Sequence, residues 1–339
     1  MSGLQKHMPD KREGINVASV LTVRGLTIGM PDAPPIVDNI DLDLRPGCIT
    51  CLVGESGSGK SITALSLMRL LPPGIRFQAD MLALDGEDLR ELDDERMNVI
   101  RGDRMAMVFQ EPMTALNPVM TVGEQITEAL RVHKGMDQTS ADIAALEMFR
   151  QVQIPAPDTR LKAYPHQLSG GMRQRVMIAI ALVCRPEVLI ADEPTTALDV
   201  TIQSQILRLI DALRVELRMA VLLITHNLSL VAEIADDVVV MYAGRIVERA
   251  PRDALFGNPM HPYTLALFAA MPRADGRGRP LATIGGQVPS HGEMPPGCRF
   301  AARCPFAEAR CVETYPILRE IRQDHWVSCW RVPLEDHVS

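Results

Sequence analysis

A chain of 339 residues, 47% of them hydrophobic, has apolar material for one large domain plus a smaller one, or for two comparable ones, and predicts a globular protein with a substantial core. Its 35 basic and 42 acidic residues leave a formal charge of −7, and no region is basic enough to offset that, which argues against sequence-independent binding to nucleic acid. The longest apolar run, Val176 to Cys184, is too short to span a bilayer, and the N-terminal MSGLQKHMPDKREG lacks the apolar core of a signal peptide. The expectation is a cytosolic chain without a membrane span, so its seven cysteines call for an explanation other than disulfides.

In chain order, residues 1–16 are polar and turn-rich and are expected to form a mobile tail. Alternating apolar positions over Val17–Thr27 and Ile36–Leu44, separated by the turn MPDAPP, predict an antiparallel β-layer. Cys48 and Cys51 form a C-x-x-C, but at the mouth of a strand residues three apart point to opposite faces, which favours two packed thiols over a redox pair. The apolar run Ile49–Val53 then leads into VGESGSGKS and on to the helix-forming stretch that begins at Ile62. That is strand, loop and helix, the context a phosphate-binding loop of the form G-x-x-x-x-G-K-[ST] requires.

Each residue type in that loop has a job. Gly54, Gly57 and Gly59, with Glu55, Ser56 and Ser58 between them, let successive amides turn inward onto phosphate oxygens at a helix N-terminus, so the cofactor-binding set runs from Gly54 to Ile62. Lys60 adds a full charge for the outer phosphates. The short neutral hydroxyl of Ser61 can ligate Mg²⁺.

Further along, LALDGEDL (Leu82–Leu89) reads as a hairpin arm, and Met105–Phe109 as a short strand delivering Gln110, a polar side chain able to report on the metal and the γ-phosphate. Met113–Tyr164 is helical in pattern, with helices expected over Thr121–Val132 and Ser140–Val152. In LSGGMRQR, Ser169 is a candidate N-cap, and Gly170 and Gly171 leave bare amides at a helix start, a second anion site on the chain. The buried strand VLIADEP places Asp192 and Glu193 side by side, one suited to Mg²⁺ and the other to orienting or deprotonating a water. Ala197, Leu198 and Asp199 precede a helix over Thr201–Arg218, and the strand Val221–Thr225 ends in His226, where an imidazole could stabilise γ-phosphate charge.

Taken together, GESGSGKS, Gln110, LSGGMRQR, LIADEP, ALD and His226 resemble, in order and spacing, the ATPase subunits of ATP-binding-cassette transporters over Val17–Pro251. The resemblance implies an α/β fold, a P-loop NTPase cassette with a RecA-like core, an antiparallel β-subdomain and a helical subdomain near residues 112–166, the cassette spanning 17–254. It implies ATP and Mg²⁺, with the metal served by Ser61, Gln110 and Asp192, and a catalytic set of Glu193 as base, His226 at the γ-phosphate and Gln110 coupling to the partner. Ser169, Gly170, Gly171 and Asp199 would serve the ATP held by the opposite subunit of a head-to-tail dimer. The family's adenine-stacking aromatic has no counterpart near Met30.

The segment 255–339, with HPYTLALFAAMP and GCRFAARCPFAEARC, is similar to the C-terminal extension of ATPases serving oligopeptide, dipeptide and nickel importers, and YPHQLSGGMRQRVMIAIAL is similar to their D-type subunit. The machine so implied comprises a second, unlike ATPase, two membrane permeases and an extracytoplasmic substrate-binding protein, with this chain peripheral on the cytoplasmic face of the inner membrane. Repair and translation ATPases of the superfamily fit less well, for want of a coiled-coil insertion or a second cassette. Cys298, Cys304, Cys311 and Cys329 fall in this Pro- and Gly-rich segment, which has little apolar core of its own and invites a metal staple, zinc or an iron–sulfur cluster, with unligated thiols as the plain alternative. The spacing lacks a C-x-x-C pair, and the family resemblance favours [4Fe–4S] over Zn²⁺.

Overall fold

The computed structural model describes residues 19–195, 198–271, 284–289 and 291–333. The expected tail 1–16, Ala197 and much of the Pro/Gly-rich stretch lie outside them. Two sheets organise the rest. The smaller is antiparallel and consists of β1 (Leu21–Gly29), β2 (Val37–Leu44), β4 (Arg76–Gln78), β5 (Met81–Leu84) and β6 (Glu87–Asp88), ordered β2-β1-β5-β6 with β4 also on β1. Asp85 and Gly86, both at positive φ (46° and 83°), close the β5–β6 hairpin, so LALDGEDL supplies two short arms and their turn rather than the single arm expected.

The larger sheet has the order β12-β13-β11-β10-β3-β9-β8-β7, from β3 (Ile49–Val53), β7 (Met105–Val108), β8 (Val188–Asp192), β9 (Ala220–Ile224), β10 (Asp237–Tyr242), β11 (Arg245–Pro251), β12 (Arg319–Arg322) and β13 (His325–Val327). From β10 to β7 it is parallel. Its central strands are continuous apolar runs because both faces are covered. Ile49, Cys51 and Val53 enter one core beneath the helices, while Leu52 enters the other, against the antiparallel layer. Cys48 and Cys51 stay free thiols, Cys51 fully buried.

The block between β7 and β8 is helical, with main helices Val122–Lys134 and Gln138–Gln151. The expected bounds shift by a few residues because of capping. Thr121 sits just outside the first helix, in a capping box with Glu124, and Asp137 accepts the Ser140 amide at 2.9 Å and starts the second helix early. Val122, Ile126 and Leu130 join Ala141, Ala145 and Phe149 in the main core.

The C-terminal segment differs from the expectation of a region short of apolar packing. Its β13 pairs antiparallel with β11 and continues the large sheet, and Tyr263 and Phe300 are buried in the main core. The carboxylate of Glu248 on β11 fixes that attachment: fully buried, it accepts the amides of Met260 (2.7 Å) and His261 (2.9 Å) and meets the His325 ring at 2.7 Å. Among the described residues no helix is long and apolar enough to cross a membrane.

Candidate functional site

The loop after β3 is built against β10. At Gly54, φ is 151° and an added Cβ would lie 2.1 Å from the Met241 carbonyl oxygen, so only glycine fits. The tip, Ser56 and Gly57, is exposed, and the helix Lys60–Leu67 begins directly after Gly59. Lys60 turns inward: Nζ donates to the carbonyls of Gly54 (2.8 Å) and Glu55 (2.9 Å) and to Ser58 Oγ (3.2 Å). Burial pulls its ammonium below the usual range, opposed by the charges of Glu193, Asp192 and Glu55. One residue on, Ser61 Oγ donates to Asp192 Oδ1 at 3.1 Å, and Ile62 packs toward the antiparallel layer. Desolvation raises the Asp192 carboxyl, with the Ser61 hydrogen bond working the other way.

Three further side chains converge at the carboxyl ends of β7, β8 and β9, the edge of a parallel sheet where ligands bind. Gln110 Nε2 donates to Glu193 Oε2 at 3.3 Å, and His226 Nδ1 lies 3.1 Å from Glu193 Oε1. Glu193 adopts a left-handed φ of 45°, and its amide donates to the Ile224 carbonyl, so β9 holds the backbone that aims the carboxylate. Gln110 is thus placed on Glu193 rather than on Ser61 or Asp192.

A second group stands apart. Ser169 caps the helix Gly170–Leu182, its Oγ accepting the Met172 amide at 3.4 Å, and Asp199 caps Val200–Leu217 through the Ile202 amide at 3.0 Å. A Cβ added at Gly170 would meet Leu198 and one at Gly171 would meet Ile202, not the phosphate loop. Ser169, Gly170 and Asp199 are exposed, so this surface faces outward.

The four tail cysteines line one cavity with His261, Phe300 and Trp330. The expected metal-holding set is nevertheless not met: among the described residues no three His, Cys, Asp or Glu form a group that could hold a metal ion. Burial pushes the Cys298 thiol up to about 11 and the Cys329 thiol up to about 12. Aromatic packing orders the segment, with Phe300 against Tyr242 and Tyr263 at centroid distances of 5.2 and 5.4 Å. The sequence reading also missed Arg303 and Tyr263, both of which reach Glu55 in the phosphate loop. No local signal marks such long-range partners.

Comparisons with known proteins show the family. The family described as ABC transporter matches residues 37–196, and that described as oligopeptide/dipeptide transporter, C-terminal region, matches 247–311. A putative peptide import ATP-binding protein of Brucella melitensis is 50% identical over 327 residues, covering 92% of this chain and 97% of that protein. A probable peptide ABC transporter ATP-binding protein of Sinorhizobium fredii is 52% identical over 294 residues, covering 86% and 88%. Among solved structures, a dimeric bacterial ABC transporter cassette aligns with a TM-score of 0.61 at 27% identity, over 68% of this chain and 98% of that one. The same cassette, dimeric with ADP and Pi in a post-hydrolysis state, aligns with the same TM-score at 26% identity, over the same shares of both chains.

Proposed function

The chain belongs to the family of ABC transporter ATPases that carry the oligopeptide/dipeptide transporter C-terminal region, and we propose that it hydrolyses ATP to drive peptide uptake through partner permeases. The observation that carries this reading is the Glu193 carboxylate, aimed between Gln110 and His226 beside the Ser61–Asp192 pair and the phosphate loop. Loop amides and Lys60 hold the phosphates once Nζ leaves the Gly54 and Glu55 carbonyls. Ser61 and Asp192, with Gln110 nearby, fit a hard divalent ion that neutralises phosphate charge. Glu193 takes the proton of the attacking water, and His226, already in contact with its carboxylate, supports the γ-phosphate.

The outward-facing Ser169, Gly170, Gly171 and Asp199 fit the second face of an ATP held by another cassette subunit, so hydrolysis needs a head-to-tail pair. In this reading the partner is a second, unlike ATPase, the permeases dock between Gln110 and Tyr164, and an extracytoplasmic binding protein delivers peptide to the complex at the inner membrane. Nickel or another small solute is the second cargo reading. Glu193→Gln in the assembled complex should retain ATP binding and lower turnover about 10²-fold or more, and wild-type turnover would remove Glu193 from its role.

A metal on Cys298, Cys304, Cys311 and Cys329 is the finer reading. Its support is that all four line one cavity, and against it stands the lack of a coordinating group among the described residues. Metal analysis of anaerobically purified protein decides: about four irons per chain means [4Fe–4S], one zinc the alternative, neither the thiols alone.

A further inference from the structure

Glu55 is an awkward residue for a phosphate loop. Its carbonyl oxygen receives the Lys60 ammonium at 2.9 Å, so its carboxylate lies one side chain away from the seat where a triphosphate would bring like charge. Arg303 meets that carboxylate as a fork, Nη1 to Oε2 at 2.7 Å and Nη2 to Oε1 at 3.0 Å. The remaining donors are also committed: Nε to the Gly285 carbonyl (2.8 Å), Nη2 to that of Ile284 (3.1 Å) and Nη1 to the Tyr242 hydroxyl (3.2 Å). A guanidinium has five N–H donors, and here every one is placed, on a side chain that is 5% exposed. The backbone of Glu55 is pinned from the same side, its amide donating to Tyr263 Oη at 2.8 Å, and the Tyr263 ring packs tilted against that of Tyr242 at 4.6 Å.

We propose that Arg303 is a positioning residue for nucleotide binding: it neutralises Glu55 and, with Tyr263, holds the first turn of the phosphate loop in the shape that accepts phosphates. The C-terminal extension thereby contributes to the ATP site of its own subunit from beyond the cassette motifs. The inference rests on the reading that the loop binds ATP. It explains why a tail with no side chain in the motif set is packed directly behind the loop.

The test is equilibrium binding of Mg·ATP to the full chain, comparing wild type, Lys60→Ala, Arg303→Met and the Arg303→Met/Glu55→Gln pair. Arg303→Met should raise Kd about tenfold, because it leaves a carboxylate uncompensated beside the phosphates, and the deficit should shrink at high salt. Adding Glu55→Gln should return Kd to within about threefold of wild type, a rescue that lost packing would not give. An unchanged Kd in Arg303→Met, or a double variant no tighter than the single, overturns the proposal. Should Arg303→Met not fold, Tyr263→Phe reads the other half of the same clamp, the hydroxyl that accepts the Glu55 amide: a Kd raised about threefold supports the proposal and an unchanged one overturns it. If Lys60→Ala binds as tightly as wild type, the nucleotide reading itself falls. Loss in Lys60→Ala with no effect of the other changes removes only this inference.

Discussion

Glu193 and Glu248 belong to the same sheet and are used in opposite ways. Glu248 is fully buried and accepts from two amides while touching the His325 ring, so donors from the helix-leading segment at residue 260 and from β13 converge on it. Glu193 sits at the end of β8 with its side chain 17% exposed, on a left-handed backbone, met by Gln110 and His226. One carboxylate ties distant segments together. The other is held in a strained pose at an open strand end, where the proposed function has it take a proton. The difference teaches that what surrounds a carboxylate, more than its place on a strand, decides whether it serves architecture or chemistry.

The largest way to break that comparison is Glu248→Ala. It orphans two buried amides and the His325 ring, and should cost about 3–5 kcal/mol in urea unfolding, whereas Glu193→Gln should change stability by less than about 0.5 kcal/mol. Equal costs at the two sites would erase the distinction. A second test uses pH. Full burial pushes the His261 imidazole down to about 4, against the pull of Glu248, while the unfolded ring titrates near 6.5. The folded state therefore binds fewer protons between those values. Stability is fully present above pH 6.5 and is lost as the pH falls toward 4. That loss is at most about 3 kcal/mol, and His261→Asn should flatten this acid slope.

Effects on chemistry alone come next. His226→Gln and Gln110→Ala, each removing one contact to Glu193, should lower turnover of the assembled complex about tenfold without moving the urea midpoint. A shifted midpoint would assign them to the architectural class with Glu248. Smallest is Thr121→Ala, which removes a capping box in the helical block and should cost about 1 kcal/mol while leaving nucleotide affinity unchanged.

Much of the fold was legible because its signals are local. Continuous apolar runs gave β3, β8 and β9, and Thr121 and Ser169 marked helix starts. The order of motifs along the chain was enough to expect Lys60, Ser61, Asp192, Glu193, Gln110 and His226 in one neighbourhood, since parallel strands present their carboxyl ends together. What was not legible depends on partners far apart in sequence. The register of Glu248 with Val327, and the Arg303–Glu55 fork 248 residues apart, leave no periodic trace. The tail was misjudged for a related reason: counting Pro and Gly made it look coreless, but Tyr242 and Tyr263 supply the apolar surface on which Phe300 settles.

The attachment of β13 to β11 has a consequence for how the chain meets other sheets. Without the extension, β11 would present an unpaired row of amides and carbonyls, an invitation to another chain's strand. With it, the border of the sheet moves out to β12, a strand of only four residues reading Arg319, Glu320, Ile321, Arg322. Short and charged, such a border is a poor template for cross-molecular pairing. Cutting the chain after the cassette would remove more than an appendage. It would expose both the row of β11 and the Glu248 carboxylate, leaving a truncated cassette prone to clump.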